Sequence, residues 1–403
     1  MDMLLISRCP PFPLHMGDRL IPYHLARQLS SRHYHIDLIA FYSKPHDLAE
    51  IPRYERYFRN IQLIREPDRS SLDYFNRIRK PERMFPYNAS EAWSPEMWNA
   101  ITARLTSDRY DVVKVFGGIQ VYEYRALVCQ LPNVIVPYES YSLLLKRQIA
   151  QQRGRFRRIA LQMQLNFAQR YEKRMFEAYD RVVVLSDSDE QALHDLNPAL
   201  PIHVIPNGVD TDYFTPTGHE PDLPTLLFVG NYEYGPNLDA ALRLARGIFP
   251  VVKQRAPQAR LLLVGNNPPP GVMALADKDI EVTGHVPDLR PYLERALIFV
   301  SPLRYGAGIK NKILEAMAMQ KPIVATPLSC DGIDLQNEKH VLYGNTPEEL
   351  AKAVLRLIKE NDLRQRMAVA NRQLIEARYT WRRVTDQYED LYIQAIQARG
   401  QRV

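Results

Sequence analysis

The stretch Arg304-Tyr305-Gly306-Ala307-Gly308-Ile309-Lys310-Asn311-Lys312-Ile313-Leu314-Glu315-Ala316-Met317-Ala318 decides the fold and the kind of site it carries. An apolar strand over 296–300 runs through Gly-x-Gly into a helix. Loops of this kind aim backbone N–H groups at one point, beside a helix N-terminus whose dipole favours an anion. Lys310 and Lys312 fall in the first turn, where the dipole disfavours cations. A bound phosphate reverses that cost. Glu315 is the only charged residue between Ile313 and Met319, so it is expected to be largely buried and to need a hydrogen-bonding partner. It lies five residues beyond Lys310, about 7.5 Å of helix rise. That span fits a diphosphate at one end and ribose hydroxyls at the other. The competing reading pairs Glu315 with Lys312 at i, i+3 and leaves the glycines as a turn. Asn311 occupies the third glycine position of a dinucleotide fingerprint, and no Gly-Lys-Ser/Thr ending makes a P-loop.

Outward from this loop, short apolar runs alternate with helical patterns. Strands are expected at 3–7, 35–41, 60–64, 111–116, 133–137, 181–186 and 201–205, then at 225–229, 259–264, 279–283, 296–300, 322–325 and 340–342. Continuous runs such as Val182-Val183-Val184-Leu185 and Leu261-Leu262-Leu263-Val264 suit strands covered on both faces of a parallel sheet. Thirteen such strands exceed one open sheet, so the pattern predicts an α/β chain of two doubly wound, Rossmann-like domains. Strand-end chemistry at Pro206-Asn207-Gly208 sets the expected boundaries: residues 1–206, residues 207–380, and a final helix over 381–403. That helix carries Trp381, Val384, Tyr388, Leu391, Tyr392, Ala395 and Ile396 on one stripe, so it must dock on something. Gly230, Gly265 and Gly284 stand just beyond three strands of the second half, at the edge where open α/β sheets bind ligands.

Composition closes off other classes. The chain has 403 residues, 46% of them hydrophobic and 24% charged, which excludes wholesale disorder. Three cysteines, Cys9, Cys129 and Cys330, form neither a disulfide framework nor a zinc pattern and suit a reducing compartment. No basic leader or long apolar run is evident, and a cytoplasmic chain is expected. The net charge is +6, and the segment 146–181 alone carries ten basic against three acidic residues. With Phe156, Ile159, Leu161, Met163, Leu165 and Phe167 interleaved, this segment reads either as a surface for an anionic membrane, peripheral on its inner face, or as a solvated helix packed on its own domain. The motif context of a nucleic-acid binder is missing.

The second half resembles the donor domain of GT-B glycosyltransferases, specifically the retaining family 4 group (glycosyl transferases group 1). The resemblance rests on Val204-Ile205-Pro206-Asn207-Gly208-Val209-Asp210, Phe228-Val229-Gly230-Asn231 with Pro236-Asn237, Thr283-Gly284-His285-Val286, the Gly308–Ala318 run, and Tyr379-Thr380-Trp381. It implies a nucleotide-sugar donor in the second domain, a glycan or lipid-linked acceptor hydroxyl on the first, retention of configuration without a metal or other cofactor, and a role in cell-surface polysaccharide or glycoconjugate synthesis. The implied donor residues are Gly230, Asn231, Gly265, Gly284, His285, Arg304, Gly308, Ile309, Lys310, Lys312 and Glu315. Gly17 and Asp18 belong to the implied acceptor-side loop. His15 and Glu139 are the candidate catalytic groups of the first half.

One departure stands out. Many members carry a second glutamate seven residues before Glu315, where this chain has Ala307. That substitution keeps open a catalytically silent GT-B partner or scaffold; a sugar-nucleotide epimerase of the same architecture is a further alternative, which calls for paired acid and base residues that the sequence does not identify. Two DxD triplets, Asp187-Ser188-Asp189 and Asp210-Thr211-Asp212, read as a helix start and a turn rather than as metal sites.

Overall fold

The computed structural model describes residues 1–14, 17–79, 85–152 and 154–400. All thirteen expected strands form, with ends within two residues of those read from the pattern. They build two wholly parallel sheets. The first holds β1 (Asp2–Ser7), β2 (His35–Tyr42), β3 (Asn60–Arg65), β4 (Val112–Phe116), β5 (Asn133–Val136), β6 (Arg181–Val184) and β7 (Ile202–Val204) in the order β3-β2-β1-β4-β5-β6-β7. The second holds β8 (Thr225–Val229), β9 (Arg260–Val264), β10 (Ile280–Val282), β11 (Ile298–Ser301), β12 (Ile323–Ala325) and β13 (Val341–Tyr343) in the order β10-β9-β8-β11-β12-β13. Each order reverses beside its first strand, which opens a crevice between the loops that follow the two central strands. Those loops follow β1 and β4 in one sheet, β8 and β11 in the other. Val182–Val184 and Leu261–Val264 are sealed because helices cover both faces.

The chain divides into two compact units, residues 1–207 with 381–403, and residues 208–380. The helices used below are α1 (Gly17–Ser30), α2 (Tyr141–Gln151), α3 (Arg155–Met175), α4 (Gly235–Arg243), α5 (Asn311–Ala318) and α6 (Trp381–Gly400). In the first unit α6 lies against α1, β4 and β5. Its stripe from Trp381 to Ala395 is buried, and the Trp381 ring stacks on His24 of α1 at 4.6 Å. The less readable stretch 66–100 contributes a helix at Ser71–Arg79 and another at Pro95–Ser107, whose start is capped by Ser94 Oγ accepting from Met97 N–H at 3.1 Å.

Beneath α6 a lysine sits where β4 demands an apolar residue. Lys114 is 2% exposed, its Nζ donates to Tyr392 Oη at 3.1 Å, and it lies 3.7 Å from the centre of the Tyr388 ring. The rings replace a counter-ion. Burial pushes the ammonium well below its ordinary range, so charge on Lys114 opposes folding as pH falls below the unfolded lysine value. Lys114→Met is therefore expected to leave the unfolding midpoint at pH 7 unchanged or raised, read by chemical denaturation. A loss above about 2 kcal/mol would show that the cation itself holds α6 in place.

Candidate functional site

The crevice of the second unit is built by four strand ends. After β8 the chain turns through Gly230 and Asn231 into α4, and after β9 it reaches Gly265. There φ is +151°, and a Cβ would lie 1.8 Å from the Gly230 carbonyl oxygen. The two loops touch backbone to backbone, and only glycine permits that. A Cβ on Gly230 would come within 2.8 Å of Asn237. Gly284 is different: it is exposed and a side chain there meets nothing, and His285 beside it is also exposed.

The loop after β11 is anchored at its root by the loop after β12. Ser329 Oγ accepts from Leu303 N–H at 3.2 Å and donates to Ser301 O at 2.6 Å, while Thr326 Oγ1 donates to Leu303 O at 2.7 Å. Gly306 (φ +133°) and Gly308 (φ +67°) then bend the chain into α5, with Ala307 and Ile309 buried between and beside them. Lys310 stands at the N-cap of α5 without a capping side-chain bond. Its ammonium folds back under its own loop and donates to Ala307 O at 2.5 Å and also to Gly308 O. Lys310 thus shapes the loop that the sequence reading had it serve only as a phosphate ligand.

Lys312 takes a neighbouring role. Its Nζ lies 2.5 Å from Asn237 Oδ1 and 4.5 Å from the centre of the Phe228 ring. Asn237 in turn donates to Asn231 O at 2.9 Å, so one buried amide ties the start of α5 to the loop after β8. The motif Pro236-Asn237 alone gives Asn237 no role. Its signal was a polar residue on the face of α4 that buries Ala240 and Ala241. Burial, then Lys310, pushes the Lys312 ammonium down to about 7.

Glu315 projects from the next turn. Its carboxylate is half-buried rather than sealed, and it has neither a hydrogen bond nor an ion pair among the described residues. The pair with Lys312 at i, i+3 does not form, because Lys312 is turned to Asn237. Burial pushes the Glu315 carboxyl up to about 7, opposed by Lys312. A carboxylate held at this cost can accept hydrogen bonds from hydroxyl donors of a ligand. Arg304, by contrast, is committed: its Nε lies 2.9 Å from Asp239 Oδ2 on α4.

In the first unit Gly17 opens α1, and Asp18 in its first turn pairs with Arg8 at 3.2 Å. The Arg8 stem lies over Gly117 (φ +129°), where a Cβ would lie 2.2 Å from Arg8 Cγ. The sequence reading missed this pairing of Arg8 with Gly117-Gly118, although a double glycine after β4 was a visible signal. Glu139 lies half-buried beyond β5 and is engaged in interactions. His15 lies outside the described residues. The two DxD triplets take the local places read from the pattern, a helix start and a turn. Ser186 caps its helix by accepting from Asp189 N–H at 3.2 Å, and Asp210 Oδ1 accepts from Asp212 and Tyr213 N–H at 3.2 Å each.

Residues 22–213 match Glycosyltransferase Family 4 and residues 223–360 match Glycosyl transferases group 1. The chain belongs to these glycosyltransferases, whose two-domain GT-B fold it shares. It is 22% identical over 385 residues to a 44.6 kDa protein of the cps region of Klebsiella pneumoniae, covering 89% of this chain and 91% of that one. In structure it resembles sucrose-phosphate synthase from Thermosynechococcus elongatus, with a TM-score of 0.74 at 19% identity over 98% of this chain and 99% of that one. Anabaena Alr3699/HepE, solved in complex with UDP and glucose, aligns with a TM-score of 0.64 at 12% identity over 96% and 98% of the two chains. Family and fold support glycosyltransferase activity. No helix among the described residues is long and apolar enough to cross a membrane.

Proposed function

We propose that this protein transfers a sugar from a nucleotide-sugar donor to a hydroxyl of a glycan or lipid-linked acceptor, with retention of configuration, in the synthesis of a cell-surface polysaccharide. The observation that carries the reading is the unpartnered, half-buried Glu315 carboxylate on α5, one turn beyond a glycine loop that presents backbone donors. Glu315 accepts from the two ribose hydroxyls. The Gly306–Lys310 loop and the α5 N-terminus hold the diphosphate, with Lys310 exchanging one loop carbonyl for a phosphate oxygen. Gly230 and Gly265 keep the floor of the crevice free of side chains. Asn231, Gly284 and His285 border the donor, and Gly17 and Asp18 lie on the acceptor side with Glu139. In the reaction the bond between the anomeric carbon and the donor phosphate breaks, the acceptor oxygen bonds to that carbon, and its proton passes to the departing phosphate. Complexes of Alr3699/HepE with UDP and with UDP-glucose support such a donor, and the cps-region relative supports the polysaccharide role.

Isothermal titration with UDP and GDP tests the donor site directly. One of the two is expected to bind wild-type protein and to bind at least about tenfold more weakly to Glu315→Ala, since a hydrogen bond to a charged group contributes about 1.5–3 kcal/mol. Binding that is absent for both nucleotides, or equal in the variant, overturns the reading. Because the diphosphate is held by loop and lysine donors, transfer in a donor screen is expected to persist in excess EDTA. Proton NMR of the product is expected to show the donor's anomeric configuration.

A further inference from the structure

The helix α3 carries two apolar stripes, and the fold uses one. Leu161, Leu165 and Ala168 pack with Leu145 and Ile149 of α2 in a small core of their own. Glu172, near the far end of α3, closes this hairpin by accepting from Tyr141 N–H at 2.7 Å and Ser142 N–H at 3.2 Å at the start of α2. The second stripe is Phe156, Ile159 and Met163, at i, i+3 and i+7. These side chains are 89%, 52% and 56% exposed. Met163 is two positions from both Leu161 and Leu165, about 200° of helical rotation, so this stripe faces away from the hairpin core. Every residue from 154 to 160 is exposed.

Charge says what covers it. Lys146, Arg155, Arg157, Arg158, Arg170 and Lys173 are exposed on this hairpin, and none forms an ion pair among the described residues; Arg155 and Arg157 lie about 100° of helical rotation to either side of Phe156. A protein interface depletes charge at its centre, and a second copy of this chain would bring like charges together. A helix with large apolar groups on one line and arginines on either side is instead the composition that lies in a lipid interface.

We propose that the N-terminal half of α3 docks this protein on an anionic phospholipid surface. Phe156, Ile159 and Met163 enter the boundary between headgroups and acyl chains, and the exposed arginines of the same half, Arg155, Arg157 and Arg158, reach headgroup phosphates. The proposal is independent of the donor site, since nucleotide titration and lipid binding report on different units of the chain.

Flotation of the full chain with vesicles tests it. Wild-type protein is expected to float with phosphatidylcholine–phosphatidylglycerol vesicles, not with phosphatidylcholine alone, and to be released by high salt. Arg155→Gln/Arg158→Gln is expected to lower partitioning about 25-fold, roughly fivefold for each charge removed near the surface. Phe156→Ser/Ile159→Ser/Met163→Ser is expected to abolish flotation. Both variants change solvent-facing positions only, and unchanged circular dichroism and thermal midpoints confirm that they fold. Wild-type protein that stays unbound, variants that float equally well, a dimer that the serine variant dissociates, or binding to duplex RNA in preference to vesicles would each overturn the proposal.

Discussion

Gly265→Ala is expected to destabilise the second unit by more than about 3 kcal/mol, the scale of a steric fault with no side-chain escape. The added Cβ would lie 1.8 Å from the carbonyl oxygen of Gly230, and φ of +151° is a conformation that residues with a Cβ rarely adopt. Backbone, not a flexible side chain, is in the way, so the β8 and β9 loops must separate. For a unit of this size about 2–4 °C of midpoint is lost per kcal/mol, so a fall on the order of 10 °C is expected in a thermal scan. Gly284→Ala supplies the contrast. Its Cβ meets nothing within 4 Å, and its midpoint is expected to stay within about 2 °C of wild type. Equal midpoints for the two variants would remove the close approach from the account of this site.

Glu315→Gln is expected to separate stability from function. The Glu315 carboxyl is pushed from its ordinary 4.5 up to about 7 by burial. For an acid raised in the folded state, the unfolded chain ionises first as pH rises, so stability falls between pH 4.5 and about 7 and stays reduced above. Glutamine keeps the shape and avoids that cost. Discounted for partial exposure, the gain is about 1–2 kcal/mol at pH 8 and none at pH 4. Over the same change nucleotide binding is expected to weaken about 10–50-fold, because the charge-assisted bonds to ribose hydroxyls are lost. Denaturation at the two pH values and titration with UDP or GDP check the two halves. A variant that is less stable at pH 8, or that binds as wild type, contradicts the role given to this carboxylate.

Glu315 was legible before any coordinates because it is a lone charge in an apolar helical run. Its freedom from Lys312 was not, since that depends on Asn237, 75 residues earlier in the chain, presenting an amide oxygen to the lysine. Lys310 shows a second limit, a local one. Its place at the head of α5 followed from the glycine loop, but its bonds to Ala307 and Gly308 arise from how the loop closes. The three strand-end glycines looked equivalent in the sequence. Only the distance between the β8 and β9 loops makes Gly265 indispensable and Gly284 tolerant.

By itself the sequence determined the thirteen strands, the two parallel sheets and the edge at which ligand loops gather. Period and apolar content are local properties, and both faces of a parallel sheet must be covered. It also located the charge in 146–181. The tertiary structure decided which polar groups are spent and which are left over. Arg304 and Lys312 are consumed by partners far along the chain, while Glu315 and the outer stripe of α3 are not. The physical reason is that pairing and exposure are set by distances between segments remote in sequence, and no local pattern encodes those distances.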